Sequence, residues 1–192
     1  MAPADPLREL DRWIESAREE GAPHPAAVAF VTVGAGGAPS ARTVTMKRIE
    51  AEALLFTSAL WTRKAREIEV NPAVALLFHW PSLGRQVHIT GEAALTERAL
   101  AEELFGERDL GHQMQTVVSR QGEPIESLDP LRDRLDHLAT VQETAPACPP
   151  DWGALRVTPA TIEFWDEAPD RLHERRLFVR EGDGWGATLL AP

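Results

Sequence analysis

The chain has 192 residues, 43% of them hydrophobic and 26% charged, with a formal net charge of −10 at pH 7. This composition is typical of a globular protein with one hydrophobic core, so we expect a single domain over residues 1–192. The acidic balance excludes bulk attraction to nucleic acid or to an anionic membrane, because both depend on many Lys and Arg contacts to phosphates.

The first third of the chain predicts one helix and then strands. Asp5 and Pro6 suit the N-cap and first turn of a helix, and apolar residues at helical spacing carry it to about Glu20. A hairpin with a glycine-rich turn and a third strand follow, because short apolar runs are separated there by turn residues. These strands are predicted over residues 26–33, 40–49 and 53–59.

The rest of the chain predicts two further pairs of elements and a closing meander. A short helix over 62–70 ends at Asn71 and Pro72, since the residue before a proline avoids the helical conformation. Strands are then predicted over 73–80 and 85–95, helices over 96–106 and 130–142, and the meander over 154–165, 171–180 and 184–192. Strands dominate and arrive in hairpins, without βαβ alternation. We therefore expect a mainly β protein with helices (α+β), an antiparallel barrel with helices packed at its ends.

Basic residues cluster around the short helix. Arg42 and Lys47 lie on one predicted strand, and Arg63 and Lys64 open the helix. The N–H groups and positive dipole end at a helix N-terminus already favour an anion, so two added cations predict a phosphate pocket. The alternative is that these side chains are solvated surface charges, which is the commonest role of Arg and Lys.

A second basic group follows Pro169. If that run is extended, Arg171, His173 and Arg175 project from one face, because side chains alternate along a strand. Three cationic or titratable groups on one face repel one another unless an anionic group lies between them. The pattern therefore predicts an anionic ligand at this end of the chain.

Other kinds of site are excluded by spacing. The six histidines lack zinc-ligand spacing, so no metal is expected, and the chain has no dinucleotide fingerprint, nucleophile elbow or Walker motif. Cys148, the single cysteine, cannot form an internal disulfide, and we interpret it as an ordinary loop thiol. The N-terminus is too charged for a signal peptide and no apolar run is long enough for a membrane span. We therefore expect a cytoplasmic protein with no membrane partner.

Several motifs, read in chain order, resemble one known family. They include SARTVTMK, SALWTRKAREIEVNPAVALLFHW, RQVHITGEA, SRQG, IEFWDEAPDRLHERR and LLAP. Over nearly the whole chain, they resemble the pyridoxamine 5'-phosphate oxidase family of FMN-dependent enzymes. The resemblance implies a split β-barrel and a homodimer with FMN at the subunit interface. It also implies hydride transfer from a small-molecule substrate to FMN, with O2 reoxidising the flavin and giving H2O2.

The resemblance also assigns residues to two halves of a site. FMN would be bound by Arg42, Thr43, Val44, Thr45, Met46, Lys47, Thr57, Ser58, Arg63, Lys64, Gln86, Gln121, Gly122, Trp165 and Arg175. Substrate would be bound by Lys47, Leu104, Arg108, His112, Arg171, Leu172 and His173, with Arg171 and His173 in the catalytic role.

The substrate half departs from the vitamin enzyme of this family. Its substrate phosphate is held by a lysine, a tyrosine, an arginine and a serine, whereas Leu104 and His112 stand here at the tyrosine and serine positions. Leucine lacks the hydroxyl, although a protonated His112 can replace part of the lost interaction. The segment ELFGERDLGHQMQTVVSRQ resembles the family's phenazine-biosynthesis oxidase instead, while Lys47 and Arg108 suit a phosphate.

Three functions therefore stay open. The first is a pyridoxine/pyridoxamine 5'-phosphate oxidase. The second is a specialised-metabolite oxidase of the phenazine-biosynthesis type, acting on a reduced aromatic polycycle. The third, of another class, is a non-catalytic flavin- or heme-binding protein. Turnover with O2 separates the enzymes from the binding protein, and the identity of the oxidised compound separates the two enzymes.

Overall fold

The computed structural model describes residues 5–141 and 144–192. Within them the chain forms a nine-stranded sheet and five α-helices, with a 3-10 turn over Pro81–Leu83. The strands are β1 (Ala27–Val33), β2 (Pro39–Thr45), β3 (Arg48–Glu50), β4 (Ala53–Ala59), β5 (Ala73–Trp80), β6 (Arg85–Leu95), β7 (Trp152–Asp166), β8 (Glu174–Glu181) and β9 (Gly184–Leu190). The helices are α1 (Pro6–Glu19), α2 (Arg63–Val70), α3 (Arg98–Gly106), α4 (Leu110–Val118) and α5 (Asp129–Val141).

The sheet is built from antiparallel neighbours. Its strands follow the order β2-β1-β5-β6-β7-β4-β3, and β8 and β9 continue from β7. Every strand pair whose register is defined is antiparallel, from Ala27 opposite Thr45 in β1 and β2 to Trp165 opposite Arg175 in β7 and β8. This confirms the predicted antiparallel, mainly β architecture with helices.

Helix α1 forms where the sequence predicts it. The Asp5 carboxylate accepts hydrogen bonds from the backbone N–H groups of Leu7 at 3.1 Å and Arg8 at 3.2 Å, a cap worth about 1 kcal/mol. The Trp13 ring meets the Phe164 ring edge-on with centroids 5.0 Å apart, so α1 covers β7. The buried face of α1 consists of Pro6, Leu7, Leu10, Trp13, Ile14 and Ala17.

The chain divides into two compact units, and strands β4 and β7 each contribute residues to both. Residues Phe30 and Phe56 pack edge-on in the first unit with centroids 5.1 Å apart, and Phe105 and Trp152 do so in the second at 6.1 Å. The prediction of a single domain over the whole chain stays a prediction. The first unit consists of the described residues of 1–56, 67–94 and 156–192, and the second of 57–66 and the described residues of 95–155.

The predicted strand over 40–49 is wrong in one respect, because it is two strands. Strand β2 ends at Thr45, after which the Met46 N–H donates to the Ala26 carbonyl at 2.9 Å and the Lys47 N–H donates to the Leu55 carbonyl at 2.8 Å. The chain therefore changes its pairing partner from β1 to β4 between these two residues. A local apolar pattern does not carry this information, because it does not show at which residue the chain leaves one partner strand for the other.

Helix α4 was not predicted. Glycine at position 111 lowers the helix propensity of its first turn, but the Asp109 carboxylate caps the helix by accepting from the His112 N–H at 2.9 Å. The flanking helices α3 and α5 each begin within two residues of the predicted first residue. The predicted last residue of α5, Gln142, lies outside the described residues.

Candidate functional site

Buried polar side chains lie where β4 leads into α2, in the second unit. We call residues 57–64 the β4–α2 turn. The Thr62 hydroxyl donates to the Ala59 carbonyl at 2.7 Å and lies 2.9 Å from the Ser58 hydroxyl. The Lys64 ammonium donates to the Thr62 hydroxyl at 3.3 Å. Three polar side chains are thus held together at the start of the helix.

The β4–α2 turn has the chemistry of an anion site. Helix α2 begins at Arg63, and the first N–H groups of a helix attract negative charge together with its dipole. The first turn of α2, all of it described, contains no acidic residue. Arg63 is exposed whereas Lys64 is only 7% exposed, so one cation reaches solvent and the other lies against hydroxyls. These are the donors that a phosphate requires.

Thr62 was missed by the sequence analysis, which named its neighbours Thr57 and Ser58. Threonine is a preferred residue just before the first residue of a helix, and that signal could have identified it. Thr57 is half-buried at the end of β4, in the second unit as well. The turn therefore contains three hydroxyl side chains and two cations within eight residues.

Arg42 belongs to a polar network in the first unit. Its guanidinium donates to the Phe30 carbonyl at 3.1 Å, to the Thr32 hydroxyl at 2.7 Å and to the Ser40 hydroxyl at 2.6 Å. Both hydroxyls donate to the buried Glu67 carboxylate at 2.5 Å, and Arg42 lies 3.6 Å from that carboxylate. The charge of Glu67 is therefore compensated by one cation and two hydroxyls. The flavin role predicted for Arg42 stays a prediction.

The rest of the predicted flavin segment, from Thr43 in β2 to Lys47 just after it, alternates between exposed and less exposed side chains. The β2 part of this segment pairs with β1, where Thr43 lies opposite Ala29 and Thr45 opposite Ala27. Thr43, Thr45 and Lys47 are exposed, Val44 is half-buried and Met46 is buried.

Further predicted flavin residues lie at three strand ends of the first unit. Gln86 lies near the start of β6, Trp165 near the end of β7, and Arg175 near the start of β8, opposite Trp165. The Arg175 guanidinium donates to the Glu163 carboxylate at 2.8 Å and to the Ala191 carbonyl at 3.2 Å. The bond to Glu163 raises the pKa of Arg175, whose guanidinium is in any case a permanent cation.

The prediction that Arg171, His173 and Arg175 share one strand face is wrong. Strand β8 begins only at Glu174, and Arg171 lies in the preceding loop with a left-handed backbone, at φ 67°. The reason is local, because the Arg171 N–H donates to the Ala168 carbonyl at 3.1 Å and closes a tight turn. Arg171 and the neighbouring Leu172 are exposed.

His173 is oriented by its surroundings. Its Nδ1 accepts a hydrogen bond from the Ala168 N–H at 3.1 Å, so the proton of the neutral ring lies on Nε2. The ring lies beside Trp165, with centroids 4.7 Å apart. The loop is anchored at its other end, where the Glu167 N–H donates to the Gly84 carbonyl at 2.8 Å. Gly84 has φ 60°, and a Cβ there would lie 2.7 Å from the Glu167 side chain, so this approach requires glycine.

The predicted substrate residues of the second unit differ in accessibility. Leu104 is fully buried, whereas a side chain that contacts substrate has to be accessible. Its substrate role stays a prediction. The Arg108 guanidinium stacks 4.5 Å from the Trp152 ring centroid and donates to Thr116 at 2.6 Å, and burial lowers its pKa. His112 is exposed, and its Nδ1 contacts the Asp109 carboxylate, whose pKa is lowered chiefly by the backbone N–H of His112.

Gln121 and Gly122 lie in an exposed turn after α4, also in the second unit. The turn requires a glycine at position 122, where φ is 90°. The Trp61 indole N–H donates to the Gln121 carbonyl at 3.1 Å, and this contact was not predicted. Within each unit, then, the structure groups several predicted residues: Ser58 with Lys64 in the second, and Trp165 with His173 and Arg175 in the first.

Three further features bear on other kinds of site. Among residues 5–141 and 144–192, no group of three or more His, Cys, Asp and Glu side chains is placed to hold a metal ion. None of the helices in the described part of the chain is both long enough and apolar enough to cross a bilayer. The Cys148 thiol is half-buried, and burial raises its pKa, which disfavours the reactive thiolate.

Comparison with known proteins gives consistent matches over the whole chain. The family described as pyridoxamine 5'-phosphate oxidase matches residues 14–166, and a pyridoxine 5'-phosphate oxidase C-terminal dimerisation region matches residues 152–192. A pyridoxine/pyridoxamine 5'-phosphate oxidase of Rubrobacter xylanophilus is 43% identical over all of this chain and 88% of its own length. One of Gluconobacter oxydans is 35% identical over 98% of this chain and 95% of its own length.

Two solved structures have a similar fold. PhzG from Burkholderia lata, in complex with tetrahydrophenazine-1-carboxylic acid, superposes with a TM-score of 0.93 at 28% identity and covers 100% of this chain and 94% of its own. An FMN-binding, pyridoxamine 5'-phosphate oxidase-related protein of Nostoc punctiforme gives a TM-score of 0.82 at 15% identity, over 98% of this chain and 99% of its own. The second likeness concerns the fold alone.

Proposed function

The chain belongs to the pyridoxamine 5'-phosphate oxidase family, and from this premise we propose that it is an FMN-dependent oxidase that releases H2O2. The family assigns it the split β-barrel fold and oxidoreductase chemistry. The resemblance noted in the sequence is thereby confirmed. The cofactor, the use of O2 and the substrate belong to the proposal, as does a single FMN-binding domain over residues 1–192.

The observation that carries the proposal is the β4–α2 turn. The phosphate of FMN is a dianion, and the turn offers the Lys64 ammonium, the Thr62 and Ser58 hydroxyls and the first N–H groups of α2. Arg63 adds a solvent-facing cation. Hydrogen bonds from ionised donors to phosphate are shorter and stronger than neutral ones. The residues present therefore fit a single terminal phosphate.

The remaining flavin contacts are proposed from the family assignments. Gln86 and Gln121 carry amides that both donate and accept, as the edge of an isoalloxazine ring requires. Trp165 can flank the planar ring, and Arg175 is a permanent cation. When bound, FMN supplies the hydride-accepting chemistry. This chain's own residues bind and orient the reactants. The other proposed contacts are Arg42, Thr43, Val44, Thr45, Met46, Lys47, Thr57 and Gly122.

Arg171 and His173 are proposed to orient the substrate. Because Nδ1 of His173 is occupied by the Ala168 N–H, its Nε2 can donate a proton or hydrogen bond to a substrate atom. The Arg171 guanidinium is exposed and can pair with an anionic group or stack on an aromatic ring. Lys47, Leu104, Arg108, His112 and Leu172 complete the proposed substrate set.

Pyridoxamine 5'-phosphate is the preferred substrate, with a reduced phenazine as the second candidate. The 43% identical relative is named pyridoxine/pyridoxamine 5'-phosphate oxidase, and Lys47 and Arg108 are cations that suit the phosphate of such a substrate. The second candidate is supported by the likeness to PhzG, whose structure holds tetrahydrophenazine-1-carboxylic acid, and by the apolar Leu104. A buried leucine provides no hydrogen bond to a phosphate.

A parallel assay of the two compounds tests this proposal. We expect the purified protein to contain FMN, identified by mass after release, and to form H2O2 with pyridoxamine 5'-phosphate at a higher kcat/KM than with a reduced phenazine carboxylic acid. The reverse ranking would favour the phenazine-type oxidase. Flavin binding without turnover of either compound would favour a binding protein, and failure to bind added FMN would contradict the proposal.

We also expect a homodimer that binds FMN at the subunit interface. Residues 152–192 match the family's dimerisation region, and β8 and β9 lie within it. Multi-angle light scattering should give twice the 21.2 kDa mass of one chain. Diluting the protein until the dimer dissociates should release flavin in parallel, because each site would lose part of its lining. A monomer that holds FMN tightly would refute this prediction.

A further inference from the structure

Trp61 joins two segments of the second unit that carry proposed flavin contacts. It lies in the β4–α2 turn, directly before Thr62, and its indole N–H donates to the Gln121 carbonyl at 3.1 Å. Gln121 is 60 positions further along the chain, in the exposed turn after α4. The bond therefore connects the proposed phosphate-binding segment with the residue proposed to contact the ring edge.

Arg120 reinforces this connection. Its guanidinium lies 4.4 Å from the centroid of the Trp61 ring, within the range of a cation–π interaction. The same guanidinium pairs with Glu123 at 2.8 Å and with Asp151 at 3.7 Å, and the Glu123 N–H donates to the Arg120 carbonyl at 3.2 Å. The turn that presents Gln121 is thus held against the face of the indole.

The backbone beneath Trp61 is held in place as well. The Leu60 N–H donates to the Asp151 carbonyl at 2.8 Å. Gly153 packs against Leu60 so closely that a Cβ there would lie 2.5 Å from the Leu60 side chain. The backbone next to Trp61 is therefore fixed by these contacts. Residues 121–130, in contrast, are all exposed. A segment with so little burial depends on its few specific contacts for a defined position.

We propose that Trp61 is a positioning residue, which holds the Gln121 turn in the place from which Gln121 reaches the flavin ring. This inference rests on the proposed function. The indole N–H supplies the directional contact, and the ring face supplies a surface for Arg120. A contact fixed before binding costs less ordering when the ligand arrives, so flavin binds more tightly.

The test compares two ligands in two variants. Riboflavin has the isoalloxazine ring of FMN but no phosphate. Trp61→Phe keeps an aromatic face for Arg120 and removes the N–H donor. We expect it to weaken FMN and riboflavin by the same factor, about threefold to tenfold, in fluorescence titrations of the apoprotein. A loss confined to FMN would mean that Trp61 acts on the phosphate-binding residues, and it would overturn the inference.

Two further variants separate positioning from general stability. Trp185→Phe is the matched control, because Trp185 also carries an arginine, Arg180, 4.5 Å from its ring but lies in β9 of the first unit. It should leave both affinities unchanged. In a Gln121→Ala background, Trp61→Phe should have no further effect on riboflavin affinity, since the side chain that it positions is gone.

Three results would overturn the inference while leaving the proposed function intact, provided that the unsubstituted protein binds FMN. The first is that Trp61→Phe leaves both affinities as Trp185→Phe does. The second is that the effect of Trp61→Phe on riboflavin affinity adds fully to that of Gln121→Ala. The third is that Trp61→Phe weakens the binding of FMN but not of riboflavin. Failure of the unsubstituted protein to bind either flavin would instead refute the proposed function itself.

Discussion

Loss of either cation of the β4–α2 turn is expected to weaken FMN binding by about tenfold to a hundredfold. A hydrogen bond from a charged donor contributes about 1.5–3 kcal/mol, and the buried Lys64 and the exposed Arg63 each supply at least one to the phosphate under the proposed function. Lys64→Met retains the aliphatic stem that fills the site, and Arg63→Ala removes a solvent-facing group. Quenching of FMN fluorescence by the apoprotein measures both affinities.

The same helix provides the control for this prediction. Arg66→Ala removes an exposed cation of α2 that has no proposed ligand contact, so FMN affinity should stay within about twofold of the unsubstituted protein. The Lys64 and Arg63 variants should bind riboflavin, which lacks the phosphate, with the same affinity as the unsubstituted protein. Equal losses for riboflavin and FMN would show that the phosphate lies elsewhere.

Arg171→Ala and His173→Ala are expected to lower kcat/KM on the order of a hundredfold while the protein stays yellow. Both side chains are proposed to orient the substrate, and misplacement by about 1 Å at a reacting centre can cost that factor. Neither is among the proposed flavin contacts. Steady-state H2O2 release measures the rates, and the absorbance of the bound flavin reports its retention in the same samples.

An exposed arginine outside the proposed site separates this effect from a general effect of charge. Arg134→Ala on α5 removes such a residue and should leave kcat/KM unchanged. If the loop before β8 were only a solvated basic segment, both the Arg171 and His173 variants would behave like Arg134→Ala. Loss of flavin from the Arg171 or His173 variant would place these side chains on the cofactor side instead.

Much of the fold was predictable, because its signals are local. Strands β4, β5 and β6 occupy the predicted residues 53–59, 73–80 and 85–95, where apolar runs are bounded by turn residues. Helix α1 begins at the predicted cap because one carboxylate and two N–H groups within four residues determine that start. Family membership was equally accessible, since ordered motifs are a property of the chain alone.

The site was predictable in its residue types and less so in its geometry. The basic pair before a helix, Arg63 and Lys64, was read from the sequence, and the structure places it at the start of α2. Leu104 was assigned to substrate by resemblance, but its full burial depends on how α3 packs. Trp61 gave no local sign of its bond to Gln121, because 60 residues separate them.

By itself, then, the sequence determined most of the elements, the antiparallel class, the family and the cationic residues of the site. Only the tertiary structure decided where the chain changes partners after Thr45, how Glu67 and Arg42 compensate each other's charge, and that Trp61 bonds to Gln121. The physical reason is the range of the interactions. Caps, periodicity and turn residues act within a few positions, whereas pairing partners, buried charge compensation and loop anchors are contacts between segments that only folding brings together.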